Sequence, residues 1–389
     1  MKPELEIADI IRRYKSDFYS RYKVLDYHKR VLNALENCRT SALGGHVDRC
    51  DECGEIRISY NSCRNRHCPK CQGAQRDRWI AARLSEALDC KYFHNVFTLP
   101  DSLNHLCLHY PKEMYDILFK SSEETLECFG NDGKYLGAAI GCIGILHTWG
   151  QKLDLHPHIH YIVPAGGIDK EGNWRHTRSE GKYLFPVKAM STVFRGKFVA
   201  LLKEFLQSKG IEYSDDLRRE IYKKEWVVYA KRPFGGASQV IEYLGRYTHK
   251  IAVSNRRIQS IDTGQVAFGY KDYGDEGKTK SMTLSASEFL RRFCLHILPK
   301  GFRKIRHYGI LSSRNKKNLK ELQTGMGVAE VKTDAIIYIK PDFKIKRCPR
   351  CGKGEMHIIM SFGANAPPVQ DMLNSLNNNR IKHNNSLIG

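Results

Sequence analysis

The chain has 389 residues, 63 Lys and Arg against 42 Asp and Glu, and a formal charge of +21. A basic excess of that size points to a polyanionic partner, most simply nucleic acid, and the length allows two or three domains. No run of 18 apolar residues is present, which excludes a helical membrane span. The N-terminal stretch MKPELEIADIIRRYKSDF has no signal-peptide core, so the 13 cysteines read as thiols and metal ligands of a cytoplasmic, nucleoid-associated protein rather than as disulfides.

Over residues 4 to 36, Ile7, Ile10, Ile11, Tyr14, Phe18 and Tyr22 recur at spacings of three and four, predicting an amphipathic helix. Residues 38 to 71 are the densest chemical signal. Cys50/Cys53 and Cys68/Cys71 form two CxxC pairs separated by 14 residues. Each knuckle aims two thiolates at one ion, so the two pairs together predict a four-sulfur zinc site. Cys38, His46, Cys63 and His67 leave four further donors, enough for a second zinc if they are not simply buried or hydrogen-bonded. So small a module buries little core, and metal would supply roughly ten or more kcal/mol of its folding free energy. Arg64, Arg66, Lys70, Arg76 and Arg78 crowd one edge and read as DNA phosphate contacts.

Residues 73 to 90 are predicted as a helix with Trp79, Ile80, Leu84 and Leu88 on one side, linking the zinc module to the next domain. A strand over 91 to 98 follows, then helix from Pro100 to about Gly130, interrupted near Pro111. Cys107, Cys128 and Cys142 read as buried thiols. Residues 135 to 150 form an apolar strand region. A turn over Gln151 to Pro157 joins it to a strand in HPHIHYIVPAGG. Alternate residues of a strand share a face, so His158 and His160 project together while Ile159 enters the core. Neutral imidazoles suit a divalent cation. Gln151, Asp154 and His156 are each within reach as a further ligand.

A long amphipathic helix is predicted over 185 to 210, and a strand over 225 to 230. SQVIEYLGRYTH, residues 238 to 249, reads as a short helix with Tyr243 and Tyr247 on one face. Strands follow at 251–261, 265–273 and 280–284, then a helix at 285–297 and the basic run PKGFRKIRHYG. Cys348 and Cys351 make a third CxxC without a matching pair. It is either a half-site completed by His357 or another residue, or two plain thiols. Residues 363–389 are rich in Asn and aperiodic, as a disordered tail would be. Frequent hairpins favour an α+β fold, an antiparallel sheet flanked by helices and preceded by a helical, cysteine-rich zinc-binding domain. The expected segments are 1–90 for DNA recognition, 91–310 for the sheet domain, 311–362 as a basic region with CxxC, and the tail.

CRTSALGGHVDRCDECG, YNSCRNRHCPKCQ, HPHIHYIVPAGG, YLGRYTHKIAVSNRRI and LPKGFRKIRHYGIL, in this order, resemble the two-tyrosine transposases of the insertion sequence 91 family. These belong to the HUH endonucleases, named for a His-hydrophobic-His motif. The resemblance covers about residues 30 to 355. It implies a histidine pair, His158 and His160, on a central strand, and Tyr243 and Tyr247 as nucleophiles. The third metal ligand varies across that superfamily and is carried to Gln151. The resemblance further implies structural Zn²⁺, catalytic Mg²⁺ or Mn²⁺, and single-stranded DNA, transposon-end hairpins and target DNA as partners. Arg246 beside Tyr247 counts among the DNA contacts, and it or His249 could favour the phenolate. A homodimer is compatible with all of this. Three other readings share parts of the pattern: a replication initiator or relaxase, a non-catalytic zinc-dependent DNA-binding protein, and a metal-dependent hydrolase that uses water.

Overall fold

The computed structural model describes residues 5–178, 184–234, 239, 245, 251–327, 347–369 and 372. The N-terminal apolar periodicity forms two helices, α1 (Ile7–Arg21) and α2 (Asp26–Glu36), because Tyr22 and Leu25 are extended. A hairpin of β1 (Gly45–Cys50) and β2 (Ile56–Tyr60) precedes α3 (Gln72–Leu84) and β3 (Tyr92–Thr98). Helix α4 (Asn104–His109) gives way to α5 (Pro111–Asn131), whose first position is the proline, where its missing N–H is harmless. Then come β4 (Ala139–Ile140), β5 (Cys142–Trp149), β6 (Leu155–Pro164), β7 (Gly166–Ile168) and β8 (Trp174–His176). They are followed by α6 (Val187–Ser208), α7 (Asp215–Tyr222) and β9 (Val228–Phe234). A three-stranded meander of β10 (Ile258–Asp262), β11 (Gln265–Asp272) and β12 (Lys278–Ser285) leads into α8 (Ala286–Cys294). The described chain closes with β13 (Ile305–Tyr308), α9 (Lys316–Gly325) and β14 (Met356–Phe362).

The central sheet runs β13-β5-β6-β3-β9 and is antiparallel at every described pairing. One face carries Phe93, Phe97, Leu146, Ile159, Tyr161 and Val163 into a core closed by α5 and α6, through Phe119, Phe194 and Phe198. Tyr161 is fully buried, and its hydroxyl lies 2.9 Å from Ser122 Oγ and donates to the Phe119 carbonyl. The other face carries the histidines at one end. At the other end Tyr92, Ile143, Ile145 and Ile162 pack with Leu88 and with Leu319 of α9, and Trp79 of α3 lies against this cluster. Each fully buried side chain of this size contributes roughly 1.5–3 kcal/mol. A one-residue slip of β6 would turn Ile159, Tyr161 and Val163 out of the core together, so the register that fixes the histidine face is strongly specified.

A second core holds α1, α2, the β10–β12 meander and α8 together, with Ile10, Ile11, Phe18, Phe268, Phe289 and Phe293 inside it. The tip of the β5–β6 hairpin is sunk into this core through Leu153, which has no exposed surface. Two side chains pin that tip. Arg257 donates to the carbonyls of Gln151, Ala252 and Gly269. His296, just beyond α8, lies 3.2 Å from Thr148 Oγ1 at Nδ1 and 3.3 Å from the Leu153 carbonyl at Nε2. A carbonyl only accepts, so Nε2 carries the proton and Nδ1 accepts from the threonine hydroxyl.

The chain's late segments return to early ones. β14 adds to β1, making a sheet ordered β14-β1-β2, so this strand, expected within a separate basic region, pairs with the N-terminal hairpin. Cys107 and Cys142 are buried, as expected, whereas Cys128 is exposed. Of the expected tail, residues 373–389 lie outside the described residues.

Burial pushes His296 down to about 4. The unfolded chain binds this proton near 6.5, so stability is present above that value and is lost as pH falls towards 4. Denaturant unfolding should therefore show a loss of roughly 3 kcal/mol from this group between pH 6.5 and 4, and His296→Gln should flatten that slope. An unchanged slope in the variant would remove His296 from the account.

Candidate functional site

Three imidazoles converge on the open end of the sheet. Antiparallel pairing sets His147 of β5 directly opposite His158 of β6, and His160 lies two residues further along the same face. Directly paired residues of an antiparallel ladder stand side by side. Ring centroids are 5.4 Å apart for His147–His158, 4.6 Å for His147–His160 and 4.9 Å for His158–His160. One ligand atom from each lies within 4.8 Å of the others. His147 and His160 are buried, while His158 is half-buried and marks the side open to a ligand.

The surroundings suit neutral imidazoles presenting Nε2. His158 Nδ1 lies 2.7 Å from the His156 carbonyl and must donate to it, which leaves Nε2 with its lone pair. His160 Nδ1 is engaged 2.8 Å from His94 Nε2, again leaving its own Nε2 towards the cluster. His94, on β3, is buried and stacked on His160, an outer partner of the kind that fixes tautomer and ring orientation in metal centres. His147 stacks on Trp149 at 4.6 Å, and pairing shifts register between these two residues, an irregularity in the ladder beside the site. Three imidazole nitrogens grouped this closely fit a divalent cation.

Gln151, the expected third ligand, is turned away from the histidines. Its Oε1 accepts from the Lys271 backbone N–H at 3.3 Å and its carbonyl accepts from Arg257, so the hairpin tip faces the meander. Asp154 is exposed, and His156 lies 4.0 Å from Asp101 rather than in the cluster. The place foreseen for Gln151 is taken by His147. The signal was present in the chain, since the predicted hairpin folded about its turn sets HTW against HPH.

The cysteines are also grouped differently from their order in sequence. Cys38, Cys63, Cys68 and Cys71 form one cluster, and Cys50, Cys53, Cys348 and Cys351 another, each with its sulfurs within 4.8 Å. The two N-terminal CxxC pairs therefore do not share an ion site, because the β1–β2 hairpin carries Cys50 and Cys53 away from α3. In the first cluster the sulfurs of Cys38 and Cys71 are 3.5 Å apart and those of Cys63 and Cys71 are 3.7 Å apart. Contacts with Cys38 and Cys63 raise the Cys68 thiol well above its ordinary range, while contacts from Cys63 and Cys68 pull Cys38 down to about 2. Neither foreseen histidine joins a cluster. His46 pairs with Asp48 at 3.4 Å, and His67 is half-buried, where desolvation and then the charges of Arg66 and Lys304 lower it to about 3.

Two cations expected to face DNA are turned inward. Arg66 donates to the carbonyls of Leu298, Pro299 and Phe302, tying the cysteine module to the loop before β13. Lys70 pairs with Glu6 at 2.7 Å. Arg76 is paired with Asp77, whereas Arg64 and Arg78 are exposed. Tyr243, Arg246, Tyr247 and His249 lie outside the described residues. Gly245 among them is described, helical and buried, and a β-carbon there would lie 2.3 Å from Ile80 Cγ1 of α3.

Residues 141–318 match a family model described as "Putative transposase", and residues 10–99 match a transposase zinc-binding domain. The chain is 40% identical over 387 residues to "Putative transposase y4qJ" of Sinorhizobium fredii (strain NBRC 101917 / NGR234), covering 93% of this chain and 97% of that protein. It is 30% identical over 307 residues to the transposase for insertion sequence element IS801 of Pseudomonas savastanoi pv. phaseolicola, covering 74% and 71%. Among solved structures, the conjugative relaxase TrwC in complex with OriT DNA is similar in its metal-bound form at TM-score 0.23 and 12% identity, over 40% of this chain and 70% of that one. Its metal-free form scores 0.22 at 14% identity, over 40% and 71%. Likeness at that score carries no weight for this chain.

Mn²⁺ titration followed by calorimetry separates the ligand sets. His147→Ala should weaken binding by at least about tenfold, and His94→Phe, acting through His160, by about 10–100-fold. Gln151→Ala should leave it unchanged. The reverse pattern would restore Gln151 as the ligand.

Proposed function

The chain belongs to the insertion sequence 91 family of transposases, and we propose that it nicks and rejoins single-stranded transposon ends through a 5′-phosphotyrosine. The observation that carries this reading is the three-histidine cluster, open at His158, on the sheet face that α3 also covers. Gly245 abuts α3, and Tyr243 and Tyr247 flank it by two residues on either side in sequence.

Bound by His147, His158 and His160, Mg²⁺ or Mn²⁺ would supply Lewis acidity at a non-bridging oxygen of the scissile phosphate. The protein's own residues do the rest. His94 and the His156 carbonyl hold the two β6 imidazoles in their donor tautomers. Arg257 and His296 hold the hairpin tip, so the cluster stands on a rigid strand pair. One tyrosine oxygen gives up its proton to solvent and bonds to phosphorus as the bond to the 3′-oxygen breaks, and that oxygen takes a proton from solvent, leaving 5′-phosphotyrosine and a free 3′-OH. A free tyrosine has a pKa of about 10, so a neighbouring cation must favour its phenolate, with Arg246 and His249 the candidates closest in sequence. The phosphodiester energy stays in the covalent link, so the strand can be rejoined by the reverse attack. The second tyrosine permits a second cleavage while the first end is held. Exposed Arg64 and Arg78 would contribute phosphate contacts on the cysteine module.

Covalent trapping tests this. With labelled single-stranded end DNA and Mn²⁺, the wild type should give a protease-sensitive band that survives denaturation, and Tyr243→Phe/Tyr247→Phe should abolish it. Cleavage with no band in any variant would make water the nucleophile and the protein a hydrolase. The docking of Gly245 makes a separate prediction. Gly245→Ala should cut trapping several-fold with Mn²⁺ affinity intact, and Ile80→Ala in the same chain should restore part of it.

A further inference from the structure

We propose that Cys50, Cys53, Cys348 and Cys351 bind one zinc ion that clasps the C-terminal strand β14 onto the N-terminal module. The four donors come from opposite ends of the chain, 295 residues apart for the Cys53–Cys348 pair. Their sulfurs approach at 3.5 Å for Cys53–Cys348 and 3.8 Å for Cys50–Cys351. Four sulfurs about 2.3 Å from a tetrahedral ion would lie about 3.8 Å from one another. Four thiolates without a bound histidine or an open position make a structural zinc site rather than a catalytic one.

The two knuckles are copies of one device. CDECG and CPRCG each end on glycine in the left-handed region, Gly54 at φ 70° and Gly352 at φ 65°. Each glycine N–H donates to the carbonyl of the first cysteine, at 3.1 Å for Gly54 to Cys50 and 3.0 Å for Gly352 to Cys348. In both, the first cysteine's own N–H is used, by Glu55 for Cys50 and by Gly354 for Cys348. Backbone amides also aim at sulfur. Cys53 N–H points to Cys50 Sγ and Gly354 N–H to Cys351 Sγ, each at 3.4 Å. This is how the backbone supports a thiolate, and both halves already have it.

The halves also interlock. Asp51 N–H donates to the Glu355 carbonyl at 3.1 Å, and Glu355 N–H donates to Asp51 Oδ1 at 2.8 Å. Arg350 pairs with Glu55 at 2.8 Å. Gly354 is so close that a β-carbon would lie 2.6 Å from Cys50 Sγ. Yet the apolar core here is minimal. Among the described residues it holds Cys50, Cys348 and Met356, with Ile358 of β14 63% exposed. With so little apolar burial, the β1 ladder and a bound ion are the ties that hold this strand to the module. Zinc here would make one module of residues 45–60 and 347–362, reaching beyond the 10–99 span of the matched zinc-binding domain.

The test is the zinc count of the full chain by native mass spectrometry after purification without chelators. Cys348→Ser/Cys351→Ser should carry one zinc fewer than wild type, and so should Cys50→Ser/Cys53→Ser. The quadruple variant should also lose one, not two. Cys351→His, which keeps a donor, should retain the wild-type count and guards against loss through misfolding. A wild-type count in Cys348→Ser/Cys351→Ser, or a loss of two in the quadruple variant, would overturn the clasp. The readout is independent of whether the tyrosines cut DNA.

Discussion

Leu153 occupies the left-handed region at φ 60° and is completely buried. For a residue with a β-carbon that conformation costs about 1–2 kcal/mol, and burying the leucine contributes roughly 1.5–3 kcal/mol, so burial wins. The rest of the histidine site depends on that balance. With Leu153 anchored in the second core, the β5–β6 hairpin has only one place to fold back. His147 then falls opposite His158 and nowhere else. The same anchoring turns Gln151 outward, because its side chain and carbonyl are both taken by the meander that receives the tip.

The two kinds of donor are kept apart by the elements that carry them. Imidazoles stand on the sheet, where the ladder and the buried His94 set their spacing and leave one side open. Thiols stand on knuckles and loops, where amides point at sulfur and four donors close on one another. Soft, closed thiolate sets suit a structural ion, and borderline nitrogen sets with an open side suit one that must meet a substrate. The contrast follows from local geometry, since the paired strands present three imidazoles from one face while the knuckles and loops gather four sulfurs.

Most of the fold was legible in the sequence. Strand period two in HPHIHYIV placed Ile159 in the core and both histidines on one face. The proline at 111 marked the start of α5, and the three strands after residue 250 formed a meander. What escaped was pairing. His147 carries no motif of its own and becomes significant only once the hairpin register is set by Leu153 in the turn. The cysteines were counted, but their grouping into two clusters was not legible, because CxxC spacing says that two thiols share an ion and is silent on which other two complete it. Arg66 looked like a phosphate contact for the same reason. Charge is visible in sequence, and the carbonyls of Leu298, Pro299 and Phe302 that consume it are not.

These misses share a physical origin. Each involves a partner set by tertiary pairing, across a turn or distant in sequence, which motif spacing alone does not identify. In this chain such contacts are where the chemistry is assembled. The second core joins α1 to α8, Arg66 joins the cysteine module to the loop before β13, and β14 joins the last described strand to the first. The ends of the chain thus brace the face that its middle builds. Closing such long loops costs chain entropy that grows only slowly with their length, so a few strong, local ties at each seam suffice to hold them. That is why the seams carry thiols, a half-buried guanidinium and a buried imidazole, while the long apolar elements between them rest on packing.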